Sequence, residues 1–341
     1  MGLASRLVAL SDRAILRVAG EGSGTFLQGL CTQDVLRRSH EVAALPAAFL
    51  SPKGKVLCDT IIKQQDSNEY LVDCHTSIIG SLKRLLVRHK LRQPLTIDDV
   101  SKGYHSMALL PRAATDAAGE GTAPSDTQPS DFFVDPRFGG MGHRAILPAS
   151  QVPVASGKLS DYHFWRVCCG VPEGPRDLKI DEVMPLHANL DLLDFISFSK
   201  GCYVGQELLT RTKHRGAVRR RIFTVVARDA SAAAAEMQVT SVKRTDPLTA
   251  EFVVPTTESL QPTDDKDVVI FGQTNGDTKG PKQVGTLLTT SGNLALCMLR
   301  CEGAFNEVSS FEQAPLPENM KVISASAALQ FLVRAPPYVF S

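Results

Sequence analysis

The sequence predicts an α+β chain, and three observations carry that expectation. Short β-type runs recur along most of its length, helical spacing is confined to a few isolated stretches, and turn residues separate nearly every run. At 341 residues, 43% hydrophobic and 21% charged, the chain can bury a full core and divides into two or three globular units.

The elements follow in order. Ala14-Leu16-Val18 alternates with Ile15-Arg17-Ala19 and stops at Gly20, as a strand does; Thr25 then precedes Phe26, Leu27 and Leu30 on one helical face. Ala47 to Leu50, Lys55 to Ile62 and Tyr70 to Cys74 are expected strands, separated by Pro52-Lys53-Gly54 and Asp66-Ser67-Asn68. Leu82, Leu85, Leu86 and His89 share a helical face that Pro94 closes, and Leu95 to Val100 returns to strand. Ala113 to Ser130 has little to bury and is expected to be a solvated insertion. Structure resumes at Phe132-Phe133-Val134, and Lys158 to Val171 predicts a helix that buries Leu159, Tyr162, Trp165 and Cys169 and ends at Pro172. Beyond Gly216 come seven short β-type runs: Arg221 to Ala227, Val239 to Lys243, Glu251 to Val254, Val268 to Phe271, Val284 to Thr290, Leu294 to Leu299 and Leu329 to Val333. Their turn signals, among them Ser291-Gly292-Asn293, favour a small C-terminal β-barrel.

Composition excludes several functions. A formal net charge of +1 gives no global field for nucleic acid or an anionic surface, so any anion site must be local. No run of about eighteen apolar residues appears, so no membrane span is expected. The eight cysteines are scattered and include no C-x-x-C pair, which reads as free thiols in a reducing compartment. Arg6 and Arg13 fall in a stretch that soon becomes strand, unlike a long Arg/Ser-rich transit peptide.

The segment with chemical promise runs from Phe195 to Gly216. Phe195-Ile196-Ser197-Phe198 alternates as a strand, Lys200-Gly201-Cys202-Tyr203-Val204-Gly205-Gln206-Glu207 follows, and Leu208, Leu209 and Thr212 continue as a helix. Gly201 and Gly205 are expected to shape this loop, and the helix start would present free N–H groups and a partial positive charge. A thiol there tends towards thiolate, and Lys200 would push the same way. Equally, Cys202 can be a small buried hydrophobe and Glu207 a first-turn carboxylate facing the helix dipole. Arg211, Lys213, Arg215, Arg219, Arg220 and Arg221 are either a solvated face or a dock for an acidic tail or partner.

The run Lys200 to Glu207 closely resembles the signature octapeptide of the YgfZ and aminomethyltransferase-like (GcvT-type) folate-binding family. Its flanks resemble the family too: Gly170-Val171-Pro172-Glu173-Gly174, Pro185 to Leu190, Ile196-Ser197-Phe198, and Arg211 with Gly216. So do Leu16 to Gly20, Phe26 to Asp34, and Pro52 to Val56 through Asp59, so that the likeness spans the chain to about residue 225. Tyr162-His163 and the Gly170 to Gly174 run look more like the eukaryotic mitochondrial branch than the bacterial one.

The resemblance implies a ring of three domains around a folate pocket. On that reading 1-47 plus 151-215 form a discontinuous α+β folate-binding domain carrying the octapeptide. Residues 48-150 form a ferredoxin-like α+β domain with a disordered insertion near 113-130, and 216-341 form the C-terminal β-barrel. It further implies an auxiliary factor of 4Fe-4S cluster assembly in the mitochondrial matrix, working beside an A-type carrier protein. Cys202 would be the reactive or partner-bridging thiol, with Lys200, Glu207 and Asp59 beside it in the chemistry. Tetrahydrofolate or a derivative would be held by Tyr162, Arg166, Glu173, Asn189 and Gln206. No metal is expected in the isolated monomer, since four organised thiolates are lacking, although Cys202 would suit a transient cluster shared with a partner. The alternative is a tetrahydrofolate-dependent one-carbon transferase, aminomethyl or methyl. There the chain departs from the pattern, because Cys58 replaces the first acid of an Asp-Asp pair that Asp59 completes, and Asp73-Cys74-His75 stands where an asparagine is expected. Stable nucleic acid binding is not expected, for want of interleaved aromatics.

Overall fold

The computed structural model describes residues 6–36, 42–111, 131–228, 269–272, 282–292, 294–300, 330–334 and 338. The chain opens with β1 (Arg6–Ala9) and β2 (Arg13–Ala19), which join different sheets. After α1 (Ser23–Gln28) come β3 (Ala44–Leu50), β4 (Val56–Asp66), β5 (Glu69–His75), α2 (Ile79–Lys90) and β6 (Thr96–Asp99). These strands form an antiparallel sheet in the order β3-β4-β5-β2-β6.

Successive strand residues point to opposite faces, and here both faces are apolar. Leu16 and Val18 of β2 pack with Phe26 and Leu27 of α1 and Leu82 and Leu86 of α2, so the two helices cover one side. Ile15 and Leu71 face the other way, against Ile146. Ile146 belongs to a second antiparallel sheet, ordered β1-β7-β9-β8, made with β7 (Tyr104–Leu110), β8 (Phe133–Val134) and β9 (His143–Pro148).

The strand pairing cuts across the expected domain boundaries. β2 lies between β5 and β6, which places residues 13–19 in one sheet with 56–99, and β3 crosses the division expected at 47/48. The reason is burial: a strand apolar on both faces needs a neighbour at each edge and a cover on each side.

α3 (Leu159–Cys168) fills the expected helix but ends earlier, at Gly170, whose φ of +71° breaks the ladder. Tyr162, Trp165 and Val167 bury into the largest core cluster, together with Leu186, Leu190, Phe195 and Leu209. The expected strand over Phe195–Phe198 does not form. The Phe195 amide closes a turn onto Leu190 O (2.9 Å) and the Ser197 amide donates to Thr32 O (3.0 Å), so neither serves a strand ladder. α4 (Gly174–Asp177) and α5 (Gln206–Arg215) complete the helices.

β10 (Arg220–Arg228), β11 (Val269–Gly272), β12 (Lys282–Ser291), β13 (Leu294–Arg300) and β14 (Gln330–Arg334) form a third antiparallel sheet, ordered β11-β12-β13-β10-β14. Among the described residues β11 and β14 are its edges, so this is an open sheet where a closed barrel was expected. The runs Val239 to Lys243 and Glu251 to Val254, the insertion at Ala113 to Ser130, and Cys301 lie outside the described residues.

Candidate functional site

The octapeptide forms an irregular loop pinned on both sides of Cys202. The Lys200 ammonium donates to three carbonyl oxygens, those of Gln28 (2.6 Å), Cys31 (2.8 Å) and Gln33 (2.9 Å), and lies 4.9 Å from the centre of the Tyr203 ring. On the far side, the Val204 amide donates to Gly29 O (3.3 Å) and the Tyr203 amide to Gln206 Oε1 (3.3 Å). Gly205 then turns the chain into α5 with φ +81°. A Cβ on Gly205 would lie 2.5 Å from Ser51 O and 2.8 Å from Leu50 Cβ, so this position requires glycine for both conformation and space.

Between these fixed points Cys202 is exposed, at the edge of an open depression of about 740 Å³ walled also by Tyr203, Gln206, Thr210, Arg211 and His214. Every other cysteine among the described residues is buried. Burial pushes the Cys31, Cys58, Cys168, Cys169 and Cys297 thiols up from their ordinary value, and Cys74 up to about 12. Those thiols stay protonated and shielded, which leaves Cys202 as the accessible thiol among the described residues.

Several expectations about this loop need correction. Lys200 was expected to promote thiolate at Cys202, but its ammonium serves three backbone carbonyls. Burial lowers its pKa, and Cys31 and Asp34 draw it part of the way back. Gly201 is not in the left-handed region and has open space where a Cβ would stand, so the loop does not need glycine there. The helix begins at Gln206, four residues beyond Cys202, so the cysteine is not in the first turn. Glu207 has an 86% exposed side chain and pairs with Arg211 at 2.6 Å, as i and i+4 helix neighbours do.

Asp59, Tyr162, Arg166 and Glu173 lie in the interior, within a network of buried charge. Arg13 Nε donates to Asp73 Oδ1 (2.6 Å) and its Nη1 to Asp59 Oδ2 (3.1 Å), while the other Asp59 oxygen accepts from the Gly174 amide (2.9 Å). Arg137 binds Asp135 through two contacts and Glu173 Oε2 through a third. Arg144 reaches Asp73 Oδ2 (2.9 Å), Ser106 Oγ (3.1 Å) and Tyr162 Oη (3.1 Å), and the Tyr162 hydroxyl donates to Glu173 Oε2 (2.6 Å). Arg166 joins at the margin, donating to Asp177 Oδ2 (2.6 Å), Val171 O (3.1 Å) and His163 Nδ1 (3.0 Å).

Burial alone would raise the Glu173 pKa, but the guanidiniums of Arg13, Arg137, Arg144 and Arg166 hold it well below the usual carboxylate range. The same carboxylates keep Arg13 and Arg137 charged against the opposing effect of burial. Tyr162 is pushed up by burial and stays a neutral hydroxyl.

These residues do not fit a folate as they stand. Tyr162 and Asn189 have 0% exposure, Arg166 3% and Glu173 5%, and a pteridine-sized cavity beside them would expose their atoms. Their polar atoms are also engaged inside the protein, Tyr162 with Glu173 and Arg166 with Asp177. Asn189, in the left-handed region at φ +59°, ties β10 to Tyr338. Its Nδ2 donates to Ile222 O (2.8 Å) and Tyr338 Oη (2.9 Å). Asp59 is closed off in the same way, which removes it from the chemistry expected of it. Gln206 alone of the five expected folate contacts borders open space.

Sequence reasoning missed Arg13, Asp73, Ser106, Asp135, Arg137, Arg144 and Asp177. A signal was present: Leu71-Val72-Asp73-Cys74 and Arg144-Ala145-Ile146-Leu147 each carry one charge inside an otherwise apolar strand run. Such a charge is seldom buried without a partner, and the opposite signs point to pairing.

Three antiparallel sheets with helices packed against them make this an α+β protein. The structure superposes on the crystal structure of glycine cleavage system aminomethyltransferase T from Bartonella henselae with a TM-score of 0.62 over 97% of this chain and 85% of that one. At 13% identity this likeness is one of fold. No protein-family model matches the chain. Over 247 residues it is 34% identical to the mitochondrial iron-sulfur cluster assembly factor IBA57 of Mus musculus, covering 66% of this chain and 67% of that protein. A homolog of that factor from Phaeosphaeria nodorum is 31% identical over 311 residues, 88% of this chain and 71% of the relative. The human factor is 33% identical over 244 residues. The chain belongs to the IBA57 family of mitochondrial iron-sulfur cluster assembly factors.

Proposed function

We propose that this protein is an auxiliary factor in mitochondrial 4Fe-4S cluster assembly and that Cys202 is the thiol it contributes. One observation carries the reading: Cys202 is the exposed cysteine of the described chain, on a loop fixed from both sides and bordering an open depression. A single thiolate can be one ligand of a cluster but cannot hold it alone, since clusters are bound by several such ligands. The cluster, as cargo, would therefore be shared, with the remaining ligands supplied by a partner such as an A-type carrier protein. The loop geometry supports this, because a bridging thiol must be reachable from outside while its backbone stays in register.

Kinship in fold with an aminomethyltransferase suggests a reduced folate as ligand and a three-domain ring as architecture. Four of the five expected folate contacts are buried and engaged within the protein rather than facing a cavity, so no step here depends on a pteridine. The one-carbon transferase reading needs Asp59 open to a ligand, and its saturation by Arg13 and Gly174 weighs against that reading.

Cys202→Ala tests the assignment. In mitochondria lacking the endogenous factor, the variant is expected to leave the activity of a 4Fe-4S enzyme at the level of the deletion, while its stability stays within about 0.5 kcal/mol of wild type. Full restoration of the enzyme by Cys202→Ala would remove the thiol from the function.

A further inference from the structure

The chain as a whole is balanced, with 37 Lys and Arg against 36 Asp and Glu, yet α2 is not. Between Cys74 and Ile97 there is no Asp or Glu, while Lys83, Arg84, Arg88, Lys90 and Arg92 all fall there. Leu82 and Leu86 turn inward, leaving Arg84, Val87, Arg88, Leu91 and Arg92 exposed. Arg84 touches only Ser81 Oγ (3.0 Å) and Lys90 only Leu95 O (2.8 Å) among the polar contacts seen, and none of the five cations pairs with a carboxylate of the described residues. The nearest acids in sequence are turned elsewhere: Asp99 accepts from Ser101 (2.6 Å) and Asp98 acts on Arg17. By contrast, two cations of α5 have acidic partners, Arg211 with Glu207 and Lys213 with Asp191.

Two apolar side chains stand among these cations, Val87 at 45% and Leu91 at 81% exposure. Lone exposed apolar residues are ordinary, but here they lie one turn apart on the cationic face, and Leu91 projects from the helix end. We propose that this face of α2 docks the protein on an anionic lipid bilayer, with the cations on headgroups and Val87 and Leu91 entering the interface.

The alternatives fit less well. Single-stranded nucleic acid recognition favours aromatic stacking platforms, and Thr76 to Lys102 contains no Phe, Tyr or Trp. A protein interface favours aromatic and arginine anchors seated in pockets and is depleted in lysine, whereas this is a convex helix with two lysines at its flanks. A fluid surface needs no pocket, and the mixture of four to eight cations with a few aliphatic insertions is what an anionic leaflet attracts. Ile79 and Leu85 of α2 pack on the core cluster beneath, so the helix is held rigidly with its cationic side outward.

Flotation of the purified full-length protein tests this, using vesicles of phosphatidylcholine alone and of an equal-weight mixture of phosphatidylcholine and cardiolipin. Binding is expected to the mixed vesicles only and to fall with added salt. The pair Arg84→Glu and Arg88→Glu should weaken it by roughly thirtyfold or more, and Leu91→Ser by several-fold, with circular dichroism unchanged. Equal flotation with both vesicles, or variants that float like wild type, would overturn the proposal. So would absence of flotation alongside tight binding to an RNA oligonucleotide or an acidic protein that is indifferent to Leu91→Ser. None of these outcomes bears on Cys202, whose test is separate.

Discussion

The inner charge network and the Cys202 loop use similar residue types to opposite ends. In the interior, Arg13, Arg137 and Arg144 face Asp59, Asp73, Asp135 and Glu173, each polar group is engaged, and water is excluded. At the loop, Lys200 and Gly205 fix the backbone while the Cys202 side chain stays exposed. Saturation keeps a group structural, whereas exposure leaves one available to a ligand or partner, whatever its chemistry. The residues most suited by type to catalysis, Asp59 and Glu173, are therefore the least available here.

That contrast can be broken most strongly from the inside. Glu173→Ala would leave Arg137, Arg144 and the Tyr162 hydroxyl facing a void, and truncating one member of a buried ion pair typically costs about 3–5 kcal/mol. Denaturant unfolding should show that loss as a lower midpoint, and a change under about 1 kcal/mol would mean that water or a shifted side chain replaces the carboxylate. The same group predicts acid sensitivity. Its folded-state pKa lies below the ordinary 4.5, so its contribution is present above that value and is lost as pH falls below it. Stability followed downwards from there should fall more steeply for wild type than for Glu173→Gln, and parallel curves would count against an ionised Glu173.

A smaller effect is expected at the loop. Lys200→Met removes the donor shared by Gln28, Cys31 and Gln33, which should cost about 1–3 kcal/mol, the penalty for buried acceptors left unpaired. Hydrogen exchange should quicken at the Val204 amide, and alkylation of Cys202 should change in rate although its own side chain is untouched. Unchanged exchange would mean that the Gly205 turn alone holds the loop.

Most strands and both N-terminal helices were legible because their signals are local. Alternation in Ala14 to Ala19 and the spacing of Leu82 and Leu86 depend only on near neighbours. The octapeptide was legible as a motif and its cysteine as a candidate. What Lys200 does was not, because its acceptors are 167 to 172 residues away in sequence. The inner network is hidden for the same reason: Arg13 meets acids 46 and 60 residues on, and Asp59 meets an amide 115 residues on. The apparent strand at Phe195–Phe198 shows the converse, an alternating pattern whose amides go to a turn and a distant loop.

The close approach at Gly205 has a consequence for how variation in this protein should be interpreted. Gly54, also left-handed at φ +72°, has its own missing Cβ 3.0 Å from Gly205 O, so the β3–β4 turn and the start of α5 interlock where a side chain is strained at Gly54 and clashes at Gly205. A saturation library at Gly205, screened for soluble protein alone, would return glycine before any activity was measured, and one at Gly54 would be enriched in it. Invariance at these two sites then reports assembly of the chain, whereas tolerance at Gly201, where space is open, reports directly on what the thiol's surroundings must leave clear.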